Sequence, residues 1–210
     1  MHVPTVFREN RRDVLVEAMT ARSFGALVST GDRGIALSHL PFICREVDGQ
    51  VELLAHLHRQ NQQVDHLCSG REVVVSFLID DAYISPGWYP SKQETGRAVP
   101  TWNYVAVEAR GIPQIVEDKS DLLTFVEAVT ARHEAGRETP WSSADAPAEY
   151  IDGLLTGIVG VRIKVHELTG AWKLGQNKSA SDRKGAAQGL SDDQRHSMAN
   201  WMAGASRTCL

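Results

Sequence analysis

The chain has 210 residues, 42% of them hydrophobic and 23% charged, and a formal net charge of −4. That length buries a full core, the composition is that of a globular protein, and the acidic balance argues against a surface built to coat nucleic acid. Cys44, Cys68 and Cys209 are too few and too scattered for a disulfide framework or a paired-cysteine metal site, which points to a reducing compartment.

The N-terminal MHVPTVFREN lacks the basic-then-apolar pattern of a signal peptide. No window approaches the ~20 apolar residues that cross a bilayer. The expected location is the cytoplasm, with no membrane partner.

The first element is a helix over Asn10 to Arg22, with Val14, Leu15, Ala18 and Met19 on one face and Asn10 as its cap. After Gly25 the period changes to that of strands. GALVST and GIALSHLPF flank Gly31-Asp32-Arg33-Gly34, a hairpin signal. VELLAHL follows the turn at Asp48-Gly49, and EVVVSFLI is a continuous apolar run that suits a strand covered on both sides. TWNYVAVEARGIPQIV alternates over Val105, Val107 and Ala109. VRIKVHEL places Val161, Ile163 and Val165 on one face and Arg162, Lys164 and His166 on the other.

Helices are expected over Asn61–Ser69, Asp118–Glu134 and Ser191–Ala205, the last opened by a Ser191/Gln194 capping box and lined by Met198, Trp201 and Met202. Gly136 to Ala148, with two prolines, reads as a long connection. Six mostly antiparallel strands with peripheral helices predict a mainly β barrel. The chain reads as one domain over residues 1–210, with a C-terminal helical segment at about 191–206.

Three stretches concentrate chemistry. Tyr83-Ile84-Ser85-Pro86-Gly87-Trp88-Tyr89 and Val99-Pro100-Thr101-Trp102-Asn103-Tyr104 gather two tryptophans and three tyrosines. Such rings suit a planar ligand or a subunit interface, or simply cap a barrel end. His56-Leu57-His58-Arg59-Gln60-Asn61 puts two histidines on one strand face, yet no carboxylate or cysteine completes a metal set. Arg59 and the helix after it offer positive potential to a phosphate, while Asn61 also reads as a plain helix cap. Between Ala171 and Leu190, Lys173, Lys178, Arg183 and Lys184 stand against Asp182 alone, a net +3 in an acidic chain. That composition suits an anion, most simply a phosphate, or a solvated loop. No GxSxG elbow, Walker loop, HExxH or GxGxxG is present.

The ordered motifs HLPF (39–42), AHLHRQN (55–61), AYISPGWY (82–89), VPTWNYVAVEARG (99–111) and KLGQNKSASDRKGAAQGL (173–190) resemble the PaiB-like family of FMN-binding negative transcriptional regulators. The resemblance runs from about Val3 to Leu190. It implies a flavin-type split β-barrel, related in fold to pyridoxamine-phosphate oxidases, that forms a homodimer with FMN at the subunit interface. Carried onto this chain, the cofactor-binding positions are Ser38, His39, His58, Arg59, Asn61, Trp102, Asn103, Lys173, Gln176 and Asn177.

No catalytic residue and no metal ligand is assigned. The chain departs from the pattern at Ala55, where the family has glycine, at His58 and Gln60 in place of alanines, and at Gly175 in place of serine. The family implies a regulator that meets promoter DNA. A flavin-dependent oxidoreductase is the alternative, and a haem-handling split barrel using His39, His56, His58 or His66 is a third reading.

Overall fold

The structure, a computed structural model, describes residues 1–204. Cys209 and Ala205, the far end of the expected last helix, lie outside the described residues. The chain opens with β1 (Arg8–Glu9), α1 (Arg12–Arg22) and a hairpin of β2 (Phe24–Gly31) and β3 (Gly34–Pro41). A second hairpin, β4 (Ile43–Val47) and β5 (Gln50–His58), leads to α2 (Gln63–Cys68) and β6 (Val73–Ile84). Then come α3 (Pro90–Thr95), β7 (Thr101–Val116), α4 (Lys119–Glu134), α5 (Ala148–Thr156), β8 (Ile158–Lys173), α6 (Ala180–Asp192) and α7 (His196–Ala203).

The strands hydrogen-bond in the order β3-β2-β6-β7-β8-β5-β4, with β1 added beside β8. The registered pairings β2–β3, β2–β6, β4–β5, β5–β8 and β1–β8 are all antiparallel. Inward alternation in β7 and β8 is as the sequence predicts, whereas the run EVVVSFLI, expected to be covered on both sides, alternates too and leaves Ser76 and Leu78 exposed. Val105, Val107, Ala109, Val161, Ile163 and Val165 are buried, while Arg162, Lys164 and His166 occupy the other face of β8.

Several elements differ from expectation for local reasons. Among the described residues there are eight strands rather than six. β4 hides behind the polar Ile-Cys-Arg-Glu-Val, and is made a strand by the Asp48-Gly49 turn, whose two positive φ angles (51° and 74°) fold it onto β5. α1 is held at its start by Glu9 rather than Asn10: Glu9 Oε1 accepts from the backbone N–H groups of Asn10 and Arg11 at 3.1 and 2.9 Å. The Arg11 guanidinium bonded to Glu9 holds that carboxyl below its usual range.

The expected 191–205 helix is two helices. α6 starts eleven residues earlier, where Ser179 Oγ accepts from the Asp182 backbone N–H at 3.1 Å. Ser191 therefore lies inside α6, its hydroxyl donating to the Ala187 carbonyl at 3.1 Å. The chain then breaks at Gln194 (φ 60°) before α7. The 136–148 connection holds a 3₁₀ turn, Ser143–Asp145, and runs into α5, a helix that its sequence did not announce.

The described residues fall into two compact units. One comprises Met1–Arg22, Phe77–Glu108 and the chain from Leu168 onward; the other comprises Ser23–Ser76 and Ala109–Glu167. In the second unit, His56 of β5 meets Phe125 of α4 edge to face at 5.8 Å. Its Nδ1 is buried with no hydrogen-bond partner. Burial pushes the His56 pKa below its ordinary 6.5.

The unfolded chain then binds the proton more readily, so stability is full above about 6.5 and falls as pH drops toward the lowered folded value. Urea unfolding at about pH 7.5 and about pH 5.5 is expected to show a larger loss for the wild type than for His56→Gln. Equal losses would mean that this ring titrates alike folded and unfolded.

Candidate functional site

Five of the ten expected cofactor residues lie in the second unit. β3 and the turn after β5 bring Ser38 and Asn61 together, the Asn61 amide donating to Ser38 Oγ at 3.1 Å. Asn61 Oδ1 meanwhile accepts from the Gln63 backbone N–H at 2.9 Å, so the same side chain caps α2 and ties it to β3. Beneath it Gln63 is fully buried, and its amide donates to the carbonyls of Leu27 and Ala36 on the two hairpin strands at 3.0 and 3.2 Å.

His39 stacks on Phe24, centroids 6.2 Å apart and rings 14° from parallel. His58 Nδ1 accepts from the Gln60 backbone N–H at 3.2 Å. Arg59 is pinned: Nη1 donates to Glu117 at 2.7 Å, Nη2 to the Ile158 carbonyl at 3.2 Å, and Nε to the Thr156 carbonyl at 3.3 Å. Its charge is partly neutralised by Glu117, so it is less free to meet a phosphate than its sequence position implies.

The other five lie in the first unit. Lys173, ending β8, donates to Thr101 Oγ1 at 2.7 Å and to the Trp102 carbonyl at 2.6 Å, clipping the start of β7. Two of its three donors are thereby used, its ammonium stands 5.9 Å from the Tyr104 ring centre, and burial lowers its pKa. The Trp102 ring is half exposed and meets Tyr83 edge to face at 6.0 Å.

Asn103, the next residue along the strand, points to the opposite side. It is buried, with its amide on Met202 Sδ at 3.3 Å. Gln176 folds back on its own loop, accepting from the Leu174 N–H at 2.8 Å and donating to the Trp172 carbonyl. Asn177 is exposed, and the Lys178 ammonium stands 5.2 Å from the Tyr89 ring centre.

The YISPGWY motif is mostly structural. Ser85 Oγ accepts from the Gly87 N–H at 3.2 Å to shape a 3₁₀ turn, and Trp88 lies against Gly185 and Gly189 of α6. Asp182 fixes the same corner, its carboxylate accepting from the Ser91 N–H at 3.1 Å and the Ser91 hydroxyl at 2.9 Å. The Ser91 N–H holds its pKa below the usual carboxylate range. Of the aromatics gathered by the sequence, Trp102 and Tyr83 keep exposed ring surface.

What the sequence reading missed is an apolar sheet face in the second unit. Phe24 of β2 is 50% exposed, and Ile35 and Leu37 of β3 are 77% and 55% exposed. Alternation puts Ile35, Leu37 and His39 on one side of β3, and that period-two pattern was the signal. Among the described residues no three or more His, Cys, Asp or Glu side chains are grouped to hold a metal. None of the helices there is long and apolar enough to cross a membrane. The donor chemistry fits FMN part by part. Trp102 offers a flat face for a planar ring, Ser38, His39 and Asn61 offer hydroxyl, imidazole and amide groups, and the 173–184 stretch offers cations for a phosphate.

Residues 1–167 match the family model described as "Putative FMN-binding domain". The chain is 28% identical to the protein named Protease synthase and sporulation protein PAI 2 of Bacillus subtilis, covering 92% of this chain and 91% of that one. It is also 40% identical, over 50% of its length, to an uncharacterized protein of Saccharomyces cerevisiae, of which the match spans 64%.

Among solved structures it is similar to the FAD and heme binding protein from Mycobacterium smegmatis, with a TM-score of 0.59 and 14% identity, covering 85% of this chain and 79% of that one. The flavocytochrome Anf3 from Azotobacter vinelandii gives a TM-score of 0.56 at 13% identity, covering 87% and 78%. The fold is the mainly β split barrel with peripheral helices. The chain belongs to the FMN-binding, PaiB-like family of flavin split-barrel proteins, and its cofactor is FMN.

Proposed function

We propose that two copies of this chain associate through the β2–β3 face, hold FMN along that interface, and act as a ligand-sensing transcriptional regulator in the cytoplasm. The observation that carries this reading is the uncovered apolar surface of Phe24, Ile35 and Leu37. A patch of large apolar side chains on a soluble fold marks an interaction surface, and His39, stacked on Phe24, lies on the same side of β3. A closed two-copy assembly buries the same surface on both members.

In this reading the whole chain works as one domain. In the first unit Trp102 would offer its face to a planar ring, and Lys173, Gln176 and Asn177 would offer donors to a phosphate; in the second, Ser38, His39 and Asn61 would offer hydroxyl, imidazole and amide groups, with Arg59 contributing field rather than a direct bond. When bound, FMN supplies one- or two-electron redox chemistry; the protein's own residues bind it, orient it and shield it from water. The regulatory role is supported by the family resemblance and by the net +3 of residues 171–190, the stretch offered to DNA phosphates. The reducing compartment is supported by the sequence's few and scattered cysteines.

The test combines sedimentation with the visible flavin spectrum. Wild type is expected to run as a yellow dimer, and Leu37→Glu as a monomer that has lost its flavin. Lys173→Ala is expected to weaken flavin retention about tenfold. A monomeric wild type that keeps FMN would overturn the interface. Promoter binding that collapses with added salt supports regulation. Turnover with NAD(P)H and no DNA binding would replace it with an oxidoreductase.

A further inference from the structure

A second cavity lies in the second unit, away from the residues assigned to FMN. It measures about 220 Å³ and sits between α4 and the outer face of β4, β5 and β8. Its walls are chiefly apolar, with Ile43, Leu54, Val116, Leu122 and Phe125 contributing the larger side chains. Arg45 and Arg162 line the same space, with Asp121 and Thr124 of α4.

The charge arrangement is uneven. Glu52, its side chain only 9% exposed, accepts from Arg45 Nε at 3.0 Å and Arg45 Nη2 at 2.7 Å, all on Oε2. Arg162 Nε stands 3.9 Å from that same oxygen, too far for a hydrogen bond, and is buried without a partner. Two guanidinium groups thus share one buried carboxylate. Asp121, the acid that lines the cavity, is exposed on the first turn of α4, where water screens it.

A buried charged donor left unbonded costs free energy unless something accepts from it. A water molecule could accept, yet it would leave the apolar walls uncovered. Register reinforces the point: Arg162 pairs with Leu54 and Gly160 with His56, so the unpartnered nitrogens of Arg162 and His56 point to the same side of the sheet, toward α4.

We propose that this cavity binds a small amphipathic monocarboxylate, its carboxylate on Arg162 and its apolar body against Leu54, Leu122 and Phe125. At interior packing density the volume holds about ten non-hydrogen atoms, the size of an aromatic acid or a medium-chain aliphatic acid. A planar carboxylate matches the fork of a guanidinium side-on. Its apolar end touches Val116, next to Glu117, which holds Arg59. Occupancy therefore adjoins an element of the proposed flavin site without depending on it.

Benzoate and its near-isosteric amide, benzamide, test this by calorimetry and ligand-observed NMR on the whole protein, with and without flavin. One saturable benzoate site is expected, with benzamide at least about tenfold weaker. Arg162→Gln should lower benzoate affinity by about tenfold or more. Ala128→Phe, on the exposed rim of α4, should fill the space and abolish binding while leaving the melting temperature and flavin content unchanged. Benzamide binding as tightly as benzoate, unchanged affinity in both variants, or no saturable benzoate site would each overturn the proposal.

Discussion

Replacing Gly189 by alanine is expected to lower the unfolding free energy by about 1–3 kcal/mol, or about 2–12 °C in Tm for a chain of this size. A Cβ there would overlap the indole of Trp88. Alanine is otherwise the better helix former, so local propensity predicts the opposite sign and steric overlap must win for the effect to appear. Gly185, one turn earlier on α6, gives an internal control, because a Cβ there would overlap the Trp88 carbonyl oxygen instead of its ring.

Trp88→Ala removes the ring and leaves the carbonyl. In a Trp88→Ala background, Gly189→Ala should therefore cost little or become neutral, while Gly185→Ala should keep most of its cost. Chemical denaturation of the three single and two double variants reads this as a coupling energy. Additive behaviour for the Gly189 pair would mean that α6 does not rest on the indole.

Glu52→Ala should also destabilise by about 1–3 kcal/mol. Its carboxylate is the shared partner of Arg45 and Arg162. Removing it leaves two like charges facing each other on a sheet partly covered by α4. The cost stays below the about 3–5 kcal/mol of a fully buried pair, because Arg45 and Arg162 are 43% and 33% exposed and can turn toward water. Added salt should soften the loss. Combining Glu52→Ala with Arg162→Met should recover part of it, since only one cation then remains. If the double variant is as unstable as the sum of the single losses, the two guanidinium groups do not feel each other.

The β elements were legible where side chains alternate in kind. Val161, Ile163 and Val165 against Arg162, Lys164 and His166 needed no structure to assign. β4 was not legible, because Cys44, Arg45 and Glu46 look like loop residues until the Asp48-Gly49 turn folds them onto β5. The C-terminal helices were misplaced because two serines compete as caps. Ser179 has Asp182 three residues on, an acid that its hydroxyl and the helix N-terminus both favour, whereas Ser191 already lies within α6.

For the site, sequence chemistry named candidate segments but could not show what each donor already holds. Arg59 looks like a free cation in AHLHRQN, yet Glu117 lies 58 residues away in the chain and meets it at 2.7 Å. Asn103 looks like a neighbour of Trp102, yet strand alternation sends it to Met202. Such pairings come from tertiary contact, which no local pattern encodes.

The position of β3 at one end of the strand order has a bearing on how the protein behaves in a cell. An edge strand with the side chains of Ile35 and Leu37 on its open face is a template for unwanted strand addition. A newly made chain carries that liability from the moment the hairpin closes until the face is covered. Under the proposed association of two copies, colloidal behaviour should depend on concentration in two opposite ways: dilution strips the cover, while crowding of half-folded chains promotes clumping. Charged gatekeepers are sparse there, with Asp32 and Arg33 at the hairpin tip engaged by Arg71 and Asp65. Solubility, rather than folding free energy, is then the property most sensitive to changes on this strand.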